Sequence, residues 1–215
     1  MLIIYWELKS RMDLQFYGAN TISINFKDHK FIFDDNLNEI GLDSVTKASD
    51  VAFFTGQHQD SIAHLVFDSA GEFEISAVSV IGLPAAAYLD VDGKTTMFKI
   101  ILNDLTVLIT GNINPNIPDY LLEEIGLIDV LMMPVGGLGL MLDPVQALKV
   151  IKAIEPKIFI PTYYQTDNLK YKQPHLTLDN IIEQLGLEVK SRETKLKLRP
   201  SELTDKTQLV ILEKN

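Results

Sequence analysis

Three side chains in one short stretch of this 215-residue chain have the chemistry of metal ligands: His58, Asp60 and His64. Imidazole and carboxylate groups are ordinary donors to zinc or manganese. The spacing is His-x-Asp-x-x-x-His, so a helix beginning at Asp60 would carry Asp60 and His64 on one face, one turn apart. The competing reading makes His58 and Asp60 a loop pair bonded to backbone and His64 a residue on a helix face. A zinc site ordinarily takes about three or four protein donors, so a set of three is the minimum. The stretch is delivered by Val51-Ala52-Phe53-Phe54, an apolar run that ends at Thr55 and passes into a polar turn. That pattern is a buried strand bringing a loop to the rim of a sheet.

The elements around this strand fall into two halves. Strands are expected at residues 2–8 and 14–17, then a hairpin from Asn20–Phe26 to Phe31–Phe33 through the turn Lys27-Asp28-His29-Lys30. Residues 37–49 read as a loop with a short helix, and 59–65 as one or two helical turns. Phe73–Leu83 and Ala85–Val91 read as strands divided at Gly82 and Pro84. Asp92-Gly93 is a hairpin turn, and Thr96–Leu102 and Leu105–Thr110 are strands joined by Asn103-Asp104. In the second half the period changes. Pro118–Ile125 reads as a helix, Asp129–Met133 as a strand and Gly136-Gly137-Leu138-Gly139 as a loop. Asp143-Pro144 opens a helix, a carboxylate N-cap with proline at the first helical position. In it Ala147, Val150, Ile151 and Ile154 make an apolar stripe. A strand at Lys157–Ile160, a polar loop at Gln165–Pro174, a helix at Thr177–Leu185 and strands near 187–198 and 207–213 complete the chain. No linker, repeat or low-complexity tract divides it, so residues 1–215 are expected to form one domain.

Bulk composition narrows the function classes. Hydrophobic residues are 47% and charged residues 22% of the chain, the balance of a globular protein with a core. No apolar run approaches the roughly 20 residues of a membrane span. The opening Met1–Trp6 is too short for a signal-peptide core and has no basic residue before it. Cysteine is absent, which removes disulfides and thiolate ligands and fits a cytoplasmic location. The net charge of −10 repels a phosphate backbone. The most basic stretch, Lys190–Arg199, reads as the wet face of a half-buried strand, so neither a membrane nor a nucleic-acid partner is expected.

Several pieces of the chain, in order, resemble the metallo-β-lactamase superfamily, and within it the lactonase-like zinc hydrolases related to L-ascorbate-6-phosphate lactonase. The stretch Thr55-Gly56-Gln57-His58-Gln59-Asp60-Ser61 stands where the superfamily has Thr-His-x-His-x-Asp-His. Ala70-Gly71-Glu72-Phe73-Glu74 is similar to Pro-Gly-Glu-Tyr-Glu, and Ile81-Gly82-Leu83-Pro84 to a Gly-Ile-Pro strand end. Leu108-Ile109-Thr110-Gly111-Asn112 stands at His-Leu-Gly-Asp. Asp129–Gly137 is close to Asp-Val-Leu-Leu-Ile-Pro-Val-Gly-Gly, Asp143–Lys157 matches the following helix, and Ile160-Pro161-Thr162-Tyr163-Tyr164 stands at Ile-Pro-x-His-Tyr. The resemblance implies an α/β (α+β) fold, a four-layer αββα sandwich of two mostly antiparallel sheets with helices outside.

The same alignment implies a broken metal centre. Gly56 and Ser61 replace two signature histidines, Asn112 replaces the bridging aspartate, and Tyr163 replaces the last histidine. A neutral amide cannot carry the bridging charge, and a phenol keeps its proton at neutral pH unless a metal is already present. The chain's four histidines are 29, 58, 64 and 175, with none between 65 and 174. Gly56, His58, Asp60, Ser61, Asn112 and Tyr163 are therefore expected as vestigial site positions, with no catalytic residue and no cofactor. The alternative is a rebuilt zinc or manganese site at His58, Asp60 and His64. The expected function is binding or assembly by a homologue that is not an active metallohydrolase, with a small molecule, a protein or a second copy as partner. The alternatives are a hydrolase of lactonase or phosphodiesterase type, using that metal or a metal-free site with Tyr163 and Ser61, and a protein-interaction module.

Other groups carry less. Gly136–Gly139 lacks the Lys-Ser or Lys-Thr of a phosphate cradle. The apolar tip Leu138, Leu140, Met141 and Leu142 is costly to leave wet, and either covers the old site or meets another subunit. Tyr163 either lines a pocket or fills the space left by metal and histidine, and Tyr164 reads as structural. The carboxylate pairs Asp34/Asp35 and Glu72/Glu74 read as solvated turn and strand-end residues, and His29 as a solvated turn residue.

Overall fold

The computed structural model describes residues 12–58, 60–90, 92–166 and 169–215. The strand expected at residues 2–8 lies outside them. Two sheets pack face to face. The six-stranded sheet contains β1 (Met12–Gly18), β2 (Thr21–Phe26), β3 (His29–Phe33), β4 (Val51–Phe53), β5 (Leu65–Phe67) and β13 (Leu196–Leu198), in the order β13-β1-β2-β3-β4-β5. The eight-stranded sheet has the order β12-β14-β11-β10-β9-β8-β7-β6. Its strands are β6 (Gly71–Ile75), β7 (Val78–Ala86), β8 (Lys94–Leu102), β9 (Leu105–Ile109), β10 (Val130–Pro134), β11 (Ile158–Thr162), β12 (Val189–Glu193) and β14 (Gln208–Leu212).

Both sheets are mixed, which corrects the expectation of mostly antiparallel sheets. Short hairpins join β1 to β2, β2 to β3 and β6 through β9, and these pairs are antiparallel. Helical crossovers join β9 to β10, β10 to β11 and β11 to β12, and β9, β10, β11, β14 and β12 pair in parallel, as a crossover requires. Strands β10 and β11 are buried along their whole length, because a parallel strand covered on both faces needs apolar residues on both.

Among the described residues the α-helices are α1 (Asp119–Ile125), α2 (Pro144–Ile154) and α3 (Leu178–Leu185). Helix α2 begins as expected: the Asp143 side chain accepts from the Gln146 backbone N–H at 2.8 Å, and Gln146 Oε1 accepts from the Asp143 N–H at 3.1 Å. This reciprocal pair satisfies two amides that a helix start leaves open. Ala147, Val150, Ile151 and Ile154 are buried in the main core. The helices touch one another, α2 against both α1 and α3. In the crossover from β3 to β4 the one helical element is a 3-10 turn at Leu37–Ile40.

Aromatic rings join the sheets. Phe33 and Phe53 of the first sheet meet Phe98 of the second at centroid distances of 6.2 and 5.1 Å, and Phe67 meets Phe73 at 4.3 Å. Two local expectations are corrected. Residues 60–64 form no helix, and the chain passes into β5 instead, paired in parallel with β4. The β6–β7 turn is at Ser76-Ala77, both at positive φ, and β7 runs through Gly82 and Pro84. Gly82 is needed there because a Cβ would stand 2.9 Å from the Ser69 carbonyl oxygen.

Candidate functional site

Parallel register sets the site. Phe33 lies level with Phe53 in one sheet, and in the other Met132 lies level with Ile109 and Pro134 with Thr162. The carboxyl ends of β3, β4, β9, β10 and β11 therefore open at one edge of the sandwich. Loops beyond such ends are the usual place for a ligand in sheets of this kind. The β1–β2 turn joins them through the Tyr163 N–H, which donates to the Ala19 carbonyl at 2.7 Å. Together these loops enclose a cavity of about 360 Å³.

Asp34 is the buried polar centre of its wall. It follows β3 at φ +48° and is 7% exposed. Its Oδ1 accepts from the Thr55 N–H at 2.7 Å. Its Oδ2 accepts from the Thr55 hydroxyl at 2.8 Å and from Asn20 Nδ2 at 2.5 Å. Asn20 Oδ1 accepts from the Thr162 hydroxyl at 2.6 Å, and the Thr55 carbonyl accepts from the Thr95 hydroxyl at 2.6 Å. This chain of bonds ties the exits of β3, β4 and β11 and the start of β8 together across both sheets. Burial pushes the Asp34 carboxyl above the ordinary carboxylate value, while the Thr55 and Asn20 bonds and the nearby His58 oppose that rise. Asp34 is thus not the solvated turn residue expected from sequence. Its neighbour Asp35 organises the next loop, its Oδ2 accepting from the Ser44 hydroxyl, the Val45 and Thr46 N–H groups and the Thr46 hydroxyl.

The opposite wall is aromatic. Tyr163, at φ +63°, stacks on Tyr171 with centroids 5.1 Å apart, and His175 stands edge-on to Tyr171 at 4.4 Å. Burial raises the Tyr163 phenol above its ordinary value, and the charges of Glu39 and Asp34 push the same way. Burial lowers the His175 imidazolium, favouring the neutral ring. Tyr164 points away: its hydroxyl donates to the Leu212 carbonyl at 2.8 Å, and burial lifts it to about 12.

Of the six positions singled out from sequence, Gly56, Asn112 and Tyr163 line the cavity, while His58, Asp60 and Ser61 are not among its lining residues. His58 stacks on Phe54 at 4.0 Å, and its Nε2 lies 3.3 Å from Asp68 Oδ2. The Ser61 hydroxyl accepts from the Ala63 N–H at 3.3 Å, and Asp60 is exposed. His64 is exposed, and its N–H donates to the Asp50 carbonyl at 2.9 Å. Among the described residues no group of three or more His, Asp or Glu side chains is placed to hold a metal ion. Leu140 and Met141 line the cavity and Leu142 is core, so the apolar tip turns mainly inward, with Leu138 left 56% exposed.

Sequence reasoning missed Asn20, Asp34, Tyr171 and His175. His175 follows directly on the interval 65–174 that holds no histidine, and it enters the cavity because the loop after β11 folds back. There the Leu176 N–H donates to the Gly136 carbonyl at 2.9 Å. The close packing at Gly136 marks the same contact: a Cβ there would stand 2.6 Å from Met141 Sδ and 3.0 Å from His175 Nδ1.

Residues 13–163 match the family described as a beta-lactamase superfamily domain. No curated protein matches the chain. Among solved structures, a zinc-dependent hydrolase assigned to the metallo-β-lactamase superfamily from Thermotoga maritima is similar, with a TM-score of 0.75 and 24% identity, over 94% of this chain and 98% of that one. A metallo hydrolase from Ignicoccus hospitalis has a TM-score of 0.56 and 15% identity, over 82% and 91% of the two chains. The metallo-β-lactamase fold protein YhfI from Bacillus subtilis has a TM-score of 0.58 and 12% identity, over 94% and 97%. At these identities the likeness establishes the fold.

Proposed function

The chain belongs to the beta-lactamase superfamily, and we propose that it works there as a small-ligand binder whose cavity stands in place of the metal centre. The observation that carries this reading is the donor set on the cavity wall. Gly56 offers no side chain. Asn112 spends its Nδ2–H on the Leu140 carbonyl at 2.9 Å. Tyr163 is a phenol held in its protonated form by burial and by two nearby carboxylates. Both Asp34 oxygens already accept hydrogen bonds. Zinc needs about three good donors and an open position for water; Glu39 and His175 also line the cavity, but among the described residues no three His, Asp or Glu side chains stand together to hold an ion, so these residues do not fit it. What they do form is a concave space of the size that takes small ligands, with apolar and aromatic walls and a few polar groups.

The chemistry left to such a site is recognition. Tyr163, Tyr171, Leu140 and Met141 exclude water, and the Asp34 network fixes the loops that carry them. Metal analysis of protein purified without chelators tests the reading. Well under one zinc, manganese or iron per chain is expected. A stoichiometric metal that survives dialysis would instead favour a hydrolase with a rebuilt site.

A further inference from the structure

We propose that the edge strand β5 pairs with β5 of a second copy of this chain, antiparallel about a two-fold axis at Val66, so that the two six-stranded sheets join into one. Each sheet ends in two edge strands, β13 and β5 in one and β12 and β6 in the other. An edge strand offers unpaired backbone groups to any other strand, and charged side chains are a common protection. Three of these edges carry such charges. Lys197 is exposed on β13, Lys190 and Arg192 on β12, and Glu72 and Glu74 on β6. The fourth edge does not. On β5, Leu65 and Val66 are 41% and 40% exposed, and Ile62 shortly before them is 68% exposed. Among the described residues no strand pairs with β5 on the side away from β4.

The backbone is set for one more strand. In a parallel pair, alternate residues turn their N–H and C=O toward the neighbour. The Phe67 carbonyl accepts from the Phe54 N–H at 2.9 Å, so Phe67 and Leu65 face β4. Val66, between them, turns its N–H and C=O outward and can exchange two bonds with its own copy. The side chains then select the partner. Read antiparallel about Val66, His64-Leu65-Val66-Phe67-Asp68 complements itself. Val66 lies opposite Val66, and on either side of the axis Leu65 lies opposite Phe67 and His64 opposite Asp68. His64 and Asp68 are both exposed. An imidazole N–H donates to a carboxylate whether the ring is neutral or charged. Asp68 already meets His58 through Oδ2, but its side chain is 58% exposed and a carboxylate accepts several bonds. The net charge of −10 sets copies apart in general, and at this edge complementary pairs oppose that repulsion. Glu72 and Glu74 keep the other sheet from continuing in the same way. A two-fold contact closes on itself, so assembly stops at two copies. A strand of three residues makes a small contact, so the association is weak.

Sedimentation velocity of the full chain at pH 7 tests this. The mass is expected to rise from 24.2 kDa toward twice that value as concentration increases from about 5 to about 500 μM. Val66→Lys sets two ammonium groups face to face on the axis and is expected to weaken association at least about tenfold. His64→Glu sets a carboxylate opposite Asp68 of the second copy and is expected to weaken it about threefold, and adding Asp68→Lys is expected to restore wild-type association. These positions are exposed, so the variants are expected to fold, and urea unfolding checks each. Leu138→Glu, at the exposed tip beside the cavity, is expected to leave the mass unchanged. A chain that stays monomeric throughout, or a dimer indifferent to Val66→Lys, overturns the second copy as occupant and leaves the edge to a strand of another protein. Loss of the dimer in Leu138→Glu places the contact at the cavity tip and overturns it too. Failure of the double variant to recover association overturns the antiparallel register.

Discussion

The loop that leaves β4 and the loops that leave β9, β10 and β11 start at the same edge of the sandwich and end differently. The first carries the residues most like a metal motif, yet beyond Gln57 it leaves the cavity. His58 settles on Phe54 and Asp68, and the chain passes into the edge strand β5. The others carry a neutral amide, glycines and tyrosines, and they close the cavity. The difference teaches that topology places the site. Parallel strands in register must deliver their loops to one edge whatever residues those loops hold. Residue type then decides what the cavity accepts.

If the cavity is held by the second set of loops and the Asp34 network, disturbing their junction should cost most. Gly111 sits at φ +61°, and a Cβ there would stand 2.3 Å from Thr55 Oγ1, inside the bond network of Asp34. Gly111→Ala is expected to destabilise the chain by about 3 kcal/mol, measured by urea unfolding. A loss under about 0.5 kcal/mol would mean that the junction yields easily.

Asp34→Asn sharpens the same point through pH. The wild-type carboxyl is raised by burial, so its contribution to stability is fully present below the unfolded value near 3.8 and is lost as pH rises through the folded value. The neutral amide does not titrate. The cost of Asp34→Asn should therefore be greater at pH 4 than at pH 7 in paired urea titrations. The opposite trend would mean that the Thr55 and Asn20 bonds outweigh burial.

At the other loop the effect should be small. His58→Ala removes a ring stack and a contact with the well-exposed Asp68. It is expected to cost less than about 1 kcal/mol and to leave cavity ligands unaffected. A large loss of ligand affinity would bring the signature loop back into the site.

Much of the fold was legible because it rests on local patterns. The alternation of Ile22, Ile24 and Phe26, the Asp143-Pro144 helix start and the apolar runs that became β10 and β11 each announce an element, and the order of motif fragments announces the sandwich. The parallel pairing of β4 with β5 was not legible, since Leu65-Val66-Phe67 is too short to betray its partner and the preceding residues read equally well as a helix. Of the site, Gly56, Asn112 and Tyr163 could be placed from the aligned motifs. Asp34 could not, because its burial depends on a left-handed turn and on Asn20 and Thr55 arriving from distant parts of the chain. Tyr171 and His175 sit in a loop whose path is set by long-range bonds, among them Leu176 N–H to the Gly136 carbonyl and Ala19 N–H to the Tyr171 hydroxyl, which no pattern in the residues foretells.

The central claim is that this cavity takes a ligand and not a catalytic metal, and zinc titration followed by nitrogen-15 NMR addresses it most directly. The expected result is no saturable response at Asn112, Tyr163, Tyr171 or His175 up to a few equivalents of zinc. Any weak shifts should be confined to the exposed loop around His58 and His64. Stoichiometric, saturable shifts of the four cavity residues at micromolar zinc would contradict the account.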